Sequence, residues 1–588
     1  MTDYFEVSSR DGAARSGELR LSDPVPTPTL ADDILVDAGS QWTEDHSIPE
    51  GDESALTILP HRGFPGGTAS EVKDAFAVDY PDVDFPSAAV VTPDTAAGHS
   101  VDAYLLAGAP SVVGYASAFV EAIIDTREAI PDDTALGLSG VATPANLALL
   151  VYAGVDLLDT HRAAVRGTQG WYLTTDGEQR LEALEERASA LPCACSACQQ
   201  PVESFTREDC VEHNTNLLEA ELARVRGHVR NGTLRSYLEG QSRHSTWQTA
   251  AVRRLDQQWG YLEQRTPVVR NRSFSATTED ALRRVEVQRF ADRLCSRVQH
   301  RFEGKPLLLV PCSARKPYGE SRSHSQFQDA ANYRAPLASL TSPLGVVPRE
   351  LELTYPAQHY DAAVTGHWSD SEISFVSSVL ERYLEEGAYS RVIAHVAEDG
   401  YQAVVETACS GHDLDVEFTV EGHPTDEDSL AALAETLAGE PRITVTDQEH
   451  ATVKAIADYQ FGAGAGEKLF GDFSLSGRYP KNRLHDSEGE QLATMVPQYG
   501  MLALTLAGAE QWLESDIPVR RVEIDSFVPS GSVLAPGVVD ADASIRPGEE
   551  VIVEGPRAFA VGRAEMSGPE LLESTRGIGV DVRHAERR

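Results

Sequence analysis

The chain has 588 residues, with 50 Lys+Arg against 91 Asp+Glu and a formal net charge of −41. Its 41% hydrophobic and 24% charged content excludes wholesale disorder, and at about 100–200 residues per domain the length predicts about three to five domains. Taken alone, −41 argues against a nucleic-acid partner, because phosphate repels carboxylate.

The basic residues qualify that exclusion. Six are lysine (Lys73, Lys305, Lys316, Lys454, Lys468 and Lys481), leaving 44 arginines. An acid-rich, lysine-poor chain suits concentrated salt, where at about 1 M the Debye length is about 3 Å and carboxylate repulsion is screened. A halophile is therefore the expected source. Seven cysteines are too few for a disulfide scaffold. The first ten residues already carry Asp3 and Glu6, unlike a signal peptide.

In chain order, residues 23–29 (DPVPTPT) and 47–53 read as loops. The uncharged runs 103–120 and 134–155 are broken by glycine and proline, so they predict buried core rather than membrane spans. Residues 147–158 predict an apolar helix entering a short strand, and 178–190 a second helix. After Pro306 the pattern alternates. Strands are expected at 307–311, 346–353, 391–396 and 402–407, with a helix at 373–386, which predicts a mostly parallel α/β layer. Residues 413–447 are acidic and expected to be peripheral, and 519–588 read as a small β domain. The chain is expected to be cytoplasmic, with no membrane association.

Between Arg224 and Arg301 lie sixteen arginines, no lysine and seven acids, a +9 island in a chain whose remainder is −50. Tyr237, Trp247, Trp259, Tyr261, Phe274 and Phe290 are interleaved. Two readings stand level: a surface that grips RNA by arginine and stacking, or helices whose arginines pair with the acidic rest.

Two clusters carry chemistry. Cys193, Cys195 and Cys198 place three thiolates within six residues, enough to share one tetrahedral ion, with Cys210, His213 and His228 as candidates for the fourth ligand. Four protein ligands would make such a site structural. In the segment Pro311–His324 (PCSARKPYGESRSH), an apolar strand ends at Cys312, where open α/β sheets place their ligands. Arg315, Lys316 and His324 beside that thiol would favour thiolate, and Ser313 adds a hydrogen-bond donor. Residues 462–468 (GAGAGEK) lack the P-loop spacing and read as a glycine turn. His46, His359 and His395 read as satisfied surface or core residues.

Several segments together resemble the archaeal tRNA-guanine transglycosylase group. They are the opening Phe5-Glu-Val, Arg10-Asp-Gly-Ala-Ala-Arg15 and Gly17; Ser139-Gly-Val-Ala-Thr-Pro with Gly154-Val-Asp156-Leu-Leu-Asp159-Thr; and the Cys triplet with His213-Asn214. Residues 453–469 resemble that group's accessory domain. Val538-Val-Asp540-Ala-Asp542, Arg546-Pro-Gly-Glu-Glu550 and Ala560-Val-Gly562-Arg563 resemble its RNA-binding PUA domain. The resemblance implies zinc on Cys193, Cys195, Cys198 and His213, and puts Asp159 at the nucleophile position. The chain departs from the group in three ways. It reaches its Cys triplet before a full barrel of about 250 residues fits. It has no DSGxFQ-like block for a partner aspartate, near Asp37 or elsewhere. It also carries an extra module from 307 to 440.

That module, with PCSxxKPYxxSxSH, is similar to archaeosine synthase, the closest family. The implied architecture is α/β multidomain. A truncated TIM-barrel-like transglycosylase domain occupies 1–190 and a zinc-binding, Arg-rich helical region 191–304. An inserted doubly wound α/β core follows at 305–445, a small α+β accessory domain at 446–518 and a β-barrel-like PUA domain at 519–588. The implied activity converts the nitrile of 7-cyano-7-deazaguanine at position 15 of the tRNA D-loop toward the archaeosine amidine, by adding lysine or glutamine/ammonia nitrogen. Cys312 would be nucleophile, Lys316 or His324 would handle charge and protons, Ser313 would donate a hydrogen bond, and Asp159 would recognise the base. A nitrogen-donor amino acid, a radical SAM partner enzyme and a homodimeric second copy complete the expected partners. The alternatives are a transglycosylase exchanging guanine for the deazapurine and a non-catalytic tRNA-binding scaffold.

Overall fold

The computed structural model describes all residues except 1, 3, 38–49, 62–67, 76–82, 188–190, 386 and 413. His46 and the first part of the loop expected at 47–53 therefore lie outside the described residues. Two compact units emerge: Met1–Pro267 with Leu534–Ala543 and Met566–Gly579, and Val268–Val533 with Ser544–Glu565 and Val580–Arg588.

In the first unit, seven short parallel strands form one sheet in the order Thr29–Leu30, Leu157–Leu158, Ala135–Gly137, Ala103–Leu106, Ser87–Val91, Leu56–Ile58 and Leu35–Asp37. The two edge strands are joined by only four residues, so the sheet must curl back on itself. Inward side chains from six strands, including Leu35, Leu56, Ala88, Leu105, Ala135 and Leu157, share one apolar cluster. Phe5, Leu19 and Leu21, from the antiparallel strands Phe5–Asp11 and Ala14–Leu19 and the residues just beyond, join it. This is the truncated barrel: seven strands within 130 residues, where eight strand–helix repeats need about 250.

In the second unit, a five-stranded sheet runs Gly345–Pro348, Leu337–Thr341, Leu307–Pro311, Val392–Ala394, Val416–Phe418, parallel except for Gly345–Pro348. Leu308, Val310 and Ile393 face Phe327, Leu433 and Leu437 on one side. Leu307, Leu309 and Val392 face Val376, Leu380 and Val404 on the other. Helices on both faces make the sheet doubly wound. An α+β section follows, with helix Val445–Phe461 and a four-stranded antiparallel sheet ending at Met501–Leu504. Last, Arg521–Ile524 pairs parallel with Glu550–Gly555, which pairs antiparallel with Ala558–Ala564.

Five local expectations are corrected. Residues 402–407 are helix, within Gly400–Cys409: Asp399 accepts the Tyr401 amide as its cap, and Val404, Val405 and Ala408 bury one face. A short apolar run cannot tell strand from helix by period alone. Glu178–Arg180 is a strand against Trp171–Leu173, and the helix begins at Leu181. The strand at 346–353 stops at Pro348, with a helical turn Arg349–Leu351 behind it. Within 413–447, Val416–Phe418 is a sheet strand, and Leu433 and Leu437 are fully buried, so this acidic stretch is part of the core architecture. Within the loop expected at 23–29, Val25–Thr27 pairs as an edge strand, the position that tolerates Pro26.

Candidate active site and metal centre

The metal centre is built by a helix start against a hairpin. Thr206 and Asp209 form a capping box that begins helix Arg207–Asn231 and sets His213 two turns in. The ligand atoms of Cys193, Cys195, Cys198 and His213 all lie within 4.8 Å of one another. His213 Nε2 donates to the Leu173 carbonyl at 2.9 Å, which turns Nδ1 toward the Cys195 and Cys198 sulfurs at 3.6 and 3.3 Å. A backbone bond at the far nitrogen is how proteins orient a ligating imidazole. Tyr172 stacks on the ring at 3.8 Å, and Asn214 pins the helix to the hairpin through Leu173 N and the Trp171 and Ala163 carbonyls.

Without an ion, burial pushes the Cys198 thiol up to about 12 and holds His213 below its ordinary value. Three converging thiols and an imidazole lone pair therefore suit a cation that takes the charge. The other candidates are engaged elsewhere. Cys210 donates to the Trp171 carbonyl, and His228 bonds Thr233 some fifteen residues along the helix, about 22 Å away.

Asp159 follows the last barrel strand. It accepts Ser139 Oγ, the Gly140 amide at 2.9 Å and the His161 amide at 3.2 Å, and pairs with His161 Nδ1 at 3.0 Å. A carboxylate has about four acceptor positions, so its capacity is filled. Asp156 of the same motif is a buried structural ion, bonded to Arg15 and the Leu136 amide.

Cys312 sits at the topological switch point of the second sheet, because strand Leu307–Pro311 leads to Leu337–Thr341 on one side while Val392–Ala394 flanks it on the other. Such crevices take the ligands of open α/β sheets. The loop after Val392–Ala394 brings Tyr401 across, with Oη 3.3 Å from Cys312 Sγ. Trp368 packs edge-on against Tyr401 at 4.7 Å. Lys316 Nζ lies 4.0 Å over the Tyr360 ring, and Tyr360 Oη joins Tyr318 Oη and, at 2.6 Å, Thr341 Oγ1.

Burial lowers the Lys316 pKa, against the opposing pull of Cys312 and Asp361, which moves it toward the range of a proton donor. Burial first, then the charge at Cys312, holds Tyr401 far above its ordinary value, so it remains a hydroxyl donor to a thiolate. Ser313 Oγ accepts the Arg315 amide, shaping the turn. His324 is placed differently from Cys312's other neighbours. It is buried, stacks on Tyr318 at 5.2 Å and uses Nε2 to bond the Pro311 carbonyl at 3.0 Å. Burial drives its pKa to about 4. It is a neutral brace for the strand end rather than a cation beside the thiol.

Sequence reasoning missed Tyr401, Tyr360 and Trp368. The signal for Tyr401 was Asp399-Gly-Tyr after an apolar strand, a helix start at a sheet edge. The arginine island resolves mainly inward. Arg235, 3% exposed, pairs with Glu239 at 3.0 Å and Asp256 at 2.7 Å. Arg293 pairs with Glu549, Arg301 with Asp458 and Arg265 with Asp132. Arg230, Arg253, Arg254, Arg272 and Arg283 are exposed. His395 is a satisfied core residue, bonded to Thr419 and Pro424. Among the described residues no helix is long and apolar enough to cross a membrane.

Family models match along most of the chain. Residues 90–246 match queuine tRNA-ribosyltransferase, 287–437 a domain of unknown function, 451–518 the patch-forming domain C2 of tRNA-guanine transglycosylase, and 519–585 the PUA domain. The class is thus the tRNA-guanine transglycosylase architecture with one added α/β module, the module that holds Cys312. The chain is 28% identical to tRNA-guanine(15) transglycosylase of Methanothermobacter thermautotrophicus, over 79% of this chain and 68% of that one. It is 41% identical to archaeosine synthase subunit alpha of Methanosarcina acetivorans and 59% identical to archaeosine synthase of Haloferax volcanii, each covering both chains in full. The chain belongs to the archaeosine synthase family.

Proposed function

We propose that this chain makes archaeosine in tRNA, acting on the nitrile of 7-cyano-7-deazaguanine at position 15 of the D-loop. The observation that carries the reading is the Cys312 thiol at a sheet switch point, hydrogen-bonded to Tyr401 and flanked by the partly desolvated Lys316. A nitrile carbon is a weak electrophile that thiolate can attack. The Cys312 sulfur bonds to that carbon, and the thiol proton is delivered through Lys316 to the nitrile nitrogen, giving a thioimidate. The donor amine, from lysine or from glutamine/ammonia, then adds to the same carbon. Its nitrogen loses a proton, the C–S bond breaks, and an amidine leaves with the thiol restored. Tyr401 stabilises the sulfur anion at entry and exit, and Ser313 holds the loop. Where lysine is the donor, a radical SAM partner cleaves the adduct to the free amidine.

Zinc is the metal we assign to Cys193, Cys195, Cys198 and His213, because sulfur-rich tetrahedral sets with all four positions filled by protein favour it and serve structure. Asp159 is a base-recognition or structural group. The protein works in the cytoplasm in concentrated salt. Incubating the protein with nitrile-bearing tRNA and each donor, then measuring nucleosides by mass spectrometry, tests the reading. Conversion of the cyano base supports it. Incorporation of labelled guanine into unmodified tRNA supports base exchange instead, and no change with any donor supports a scaffold.

A further inference from the structure

Tyr401 reaches Cys312 from the second residue of helix Gly400–Cys409, and the chain fixes it at two levels. Asp399 holds the backbone, accepting the Tyr401 amide at 2.9 Å. That bond does not set the ring, whose hydroxyl lies at its far end and so moves furthest when the ring tilts. Trp368 sets the ring. Its half-buried indole packs edge-on against Tyr401, with centroids 4.7 Å apart and planes at 64°, a preferred geometry for aromatic pairs.

Gly400 is an independent sign of the same contact. It opens the helix, where alanine is the better helix former. Its φ lies outside the left-handed region, so the backbone does not require glycine. The indole does. A Cβ added to Gly400 would overlap Trp368 at Cβ, Cγ and Cδ1, the rigid root of that side chain rather than a flexible end. The missing side chain is what lets Trp368 lie against both Gly400 and Tyr401. Trp368 arrives on the segment between strand Tyr360–Ala362 and helix Asp370–Glu385. The same strand carries Tyr360, whose ring lies 4.0 Å from Lys316 Nζ. One stretch of chain thus braces both Tyr401 and Lys316 beside the thiol.

We infer that Trp368 is a positioning residue for the Cys312 site: seated on Gly400, it holds the Tyr401 ring at the tilt that keeps the hydroxyl on the sulfur. It acts through Tyr401 and makes no bond in the reaction. A site whose supporting side chains leave it about 1 Å loose is present but disabled. The bearing of Trp368 on turnover rests on the reading of Cys312 as nucleophile, but the contact itself is tested without tRNA.

The test is the rate at which iodoacetamide alkylates Cys312 in the full chain, followed by mass spectrometry of its peptide at pH 7 and pH 10. A hydroxyl bonded to the sulfur favours thiolate. Tyr401→Phe is therefore expected to slow alkylation about tenfold at pH 7 and far less at pH 10, where thiols ionise without help. Trp368→Ala and Gly400→Ala each slow it about fivefold at pH 7 with the same relief at pH 10. Trp368→Phe keeps an aromatic ring against Tyr401 and costs less than about twofold. In a Tyr401→Phe background neither alanine variant adds more than about 1.5-fold, because its route to the sulfur is gone. Lys316, Asp361 and Tyr360, the other titratable groups around the thiol, and Asp399 at the helix foot are unchanged in every variant. An unchanged rate at pH 7 in Trp368→Ala overturns the inference. So does a loss equal at both pH values, or one that persists in full in the Tyr401→Phe background, since a merely loosened pocket behaves that way. Where Trp368→Ala does not fold, Gly400→Ala carries the same comparisons. Cys312→Ala separates the two readings. If it retains near-normal turnover of nitrile-bearing tRNA while the alkylation pattern holds, the nucleophile reading fails and the positioning of Tyr401 stands. If it loses turnover while the alkylation pattern is absent, the positioning inference alone fails.

Discussion

The two parallel sheets of this chain each carry a polar side chain just beyond the end of a strand, and they use it oppositely. In the barrel unit, Asp159 receives hydrogen bonds from Ser139, Gly140 and His161, so every acceptor position is taken by the chain itself. In the doubly wound sheet, Cys312 meets one hydroxyl and stands near an amine whose charge is partly desolvated. Position at a strand end is shared. On the proposed reading, what separates a scaffold from a reaction centre is whether neighbours exhaust the group's bonding capacity.

That contrast breaks if the barrel unit proves to be the chemical one. The largest expected effect is on stability: stripping the metal with a chelator, or Cys198→Ser, costs several kcal/mol and lowers thermal unfolding by on the order of 10 °C, with one metal released per chain by elemental analysis. Next comes rate. Cys312→Ala lowers turnover of nitrile-bearing tRNA by about 10³-fold or more, while Asp159→Asn changes it by less than about threefold. Equal losses in single-turnover assays would erase the distinction. Tyr401→Phe keeps the ring against Trp368 and costs about 10²-fold in kcat, with little change in KM.

His324 sharpens the comparison through pH. Its folded pKa is about 4 against an ordinary 6.5, so between those values the unfolded chain binds a proton that the folded chain refuses. Stability therefore rises with pH across that window and is lost as pH falls from 6.5 toward 4, by about 3 kcal/mol for this one group. His324→Gln keeps a donor for the Pro311 carbonyl without titrating, and flattens that slope in denaturant unfolding curves. The smallest effect is at the exposed Arg315–Glu320 pair beside the motif: Glu320→Ala alters stability by less than about 0.5 kcal/mol.

What the sequence disclosed follows the range of the interaction. The Cys triplet and the PCSxxKPY segment are local, so their chemistry is legible in a few adjacent residues. His213 needed the resemblance, because spacing alone left Cys210 and His228 equally open. Tyr401 lies 89 residues from Cys312, just before a segment (402–407) read as a strand, and only the sheet order brings them together. The alternating pattern after Pro306 did convey a mostly parallel α/β layer. The arginine island stayed open between its two readings. Its charge is real, but composition does not say which way a guanidinium points, and Arg235, Arg293 and Arg301 turn to internal carboxylates.

The filled coordination of Asp159 also bears on descent. If Asp159 holds the nucleophile's position, as the resemblance implies, a chain that lends both its oxygens to Ser139, Gly140 and His161 does not gain base exchange from a partner aspartate alone. It must also release the carboxylate, and either change without the other leaves the old reaction idle. On the proposed reading, in which the chain does not exchange bases, the path to exchange therefore crosses an intermediate in which either change alone is idle.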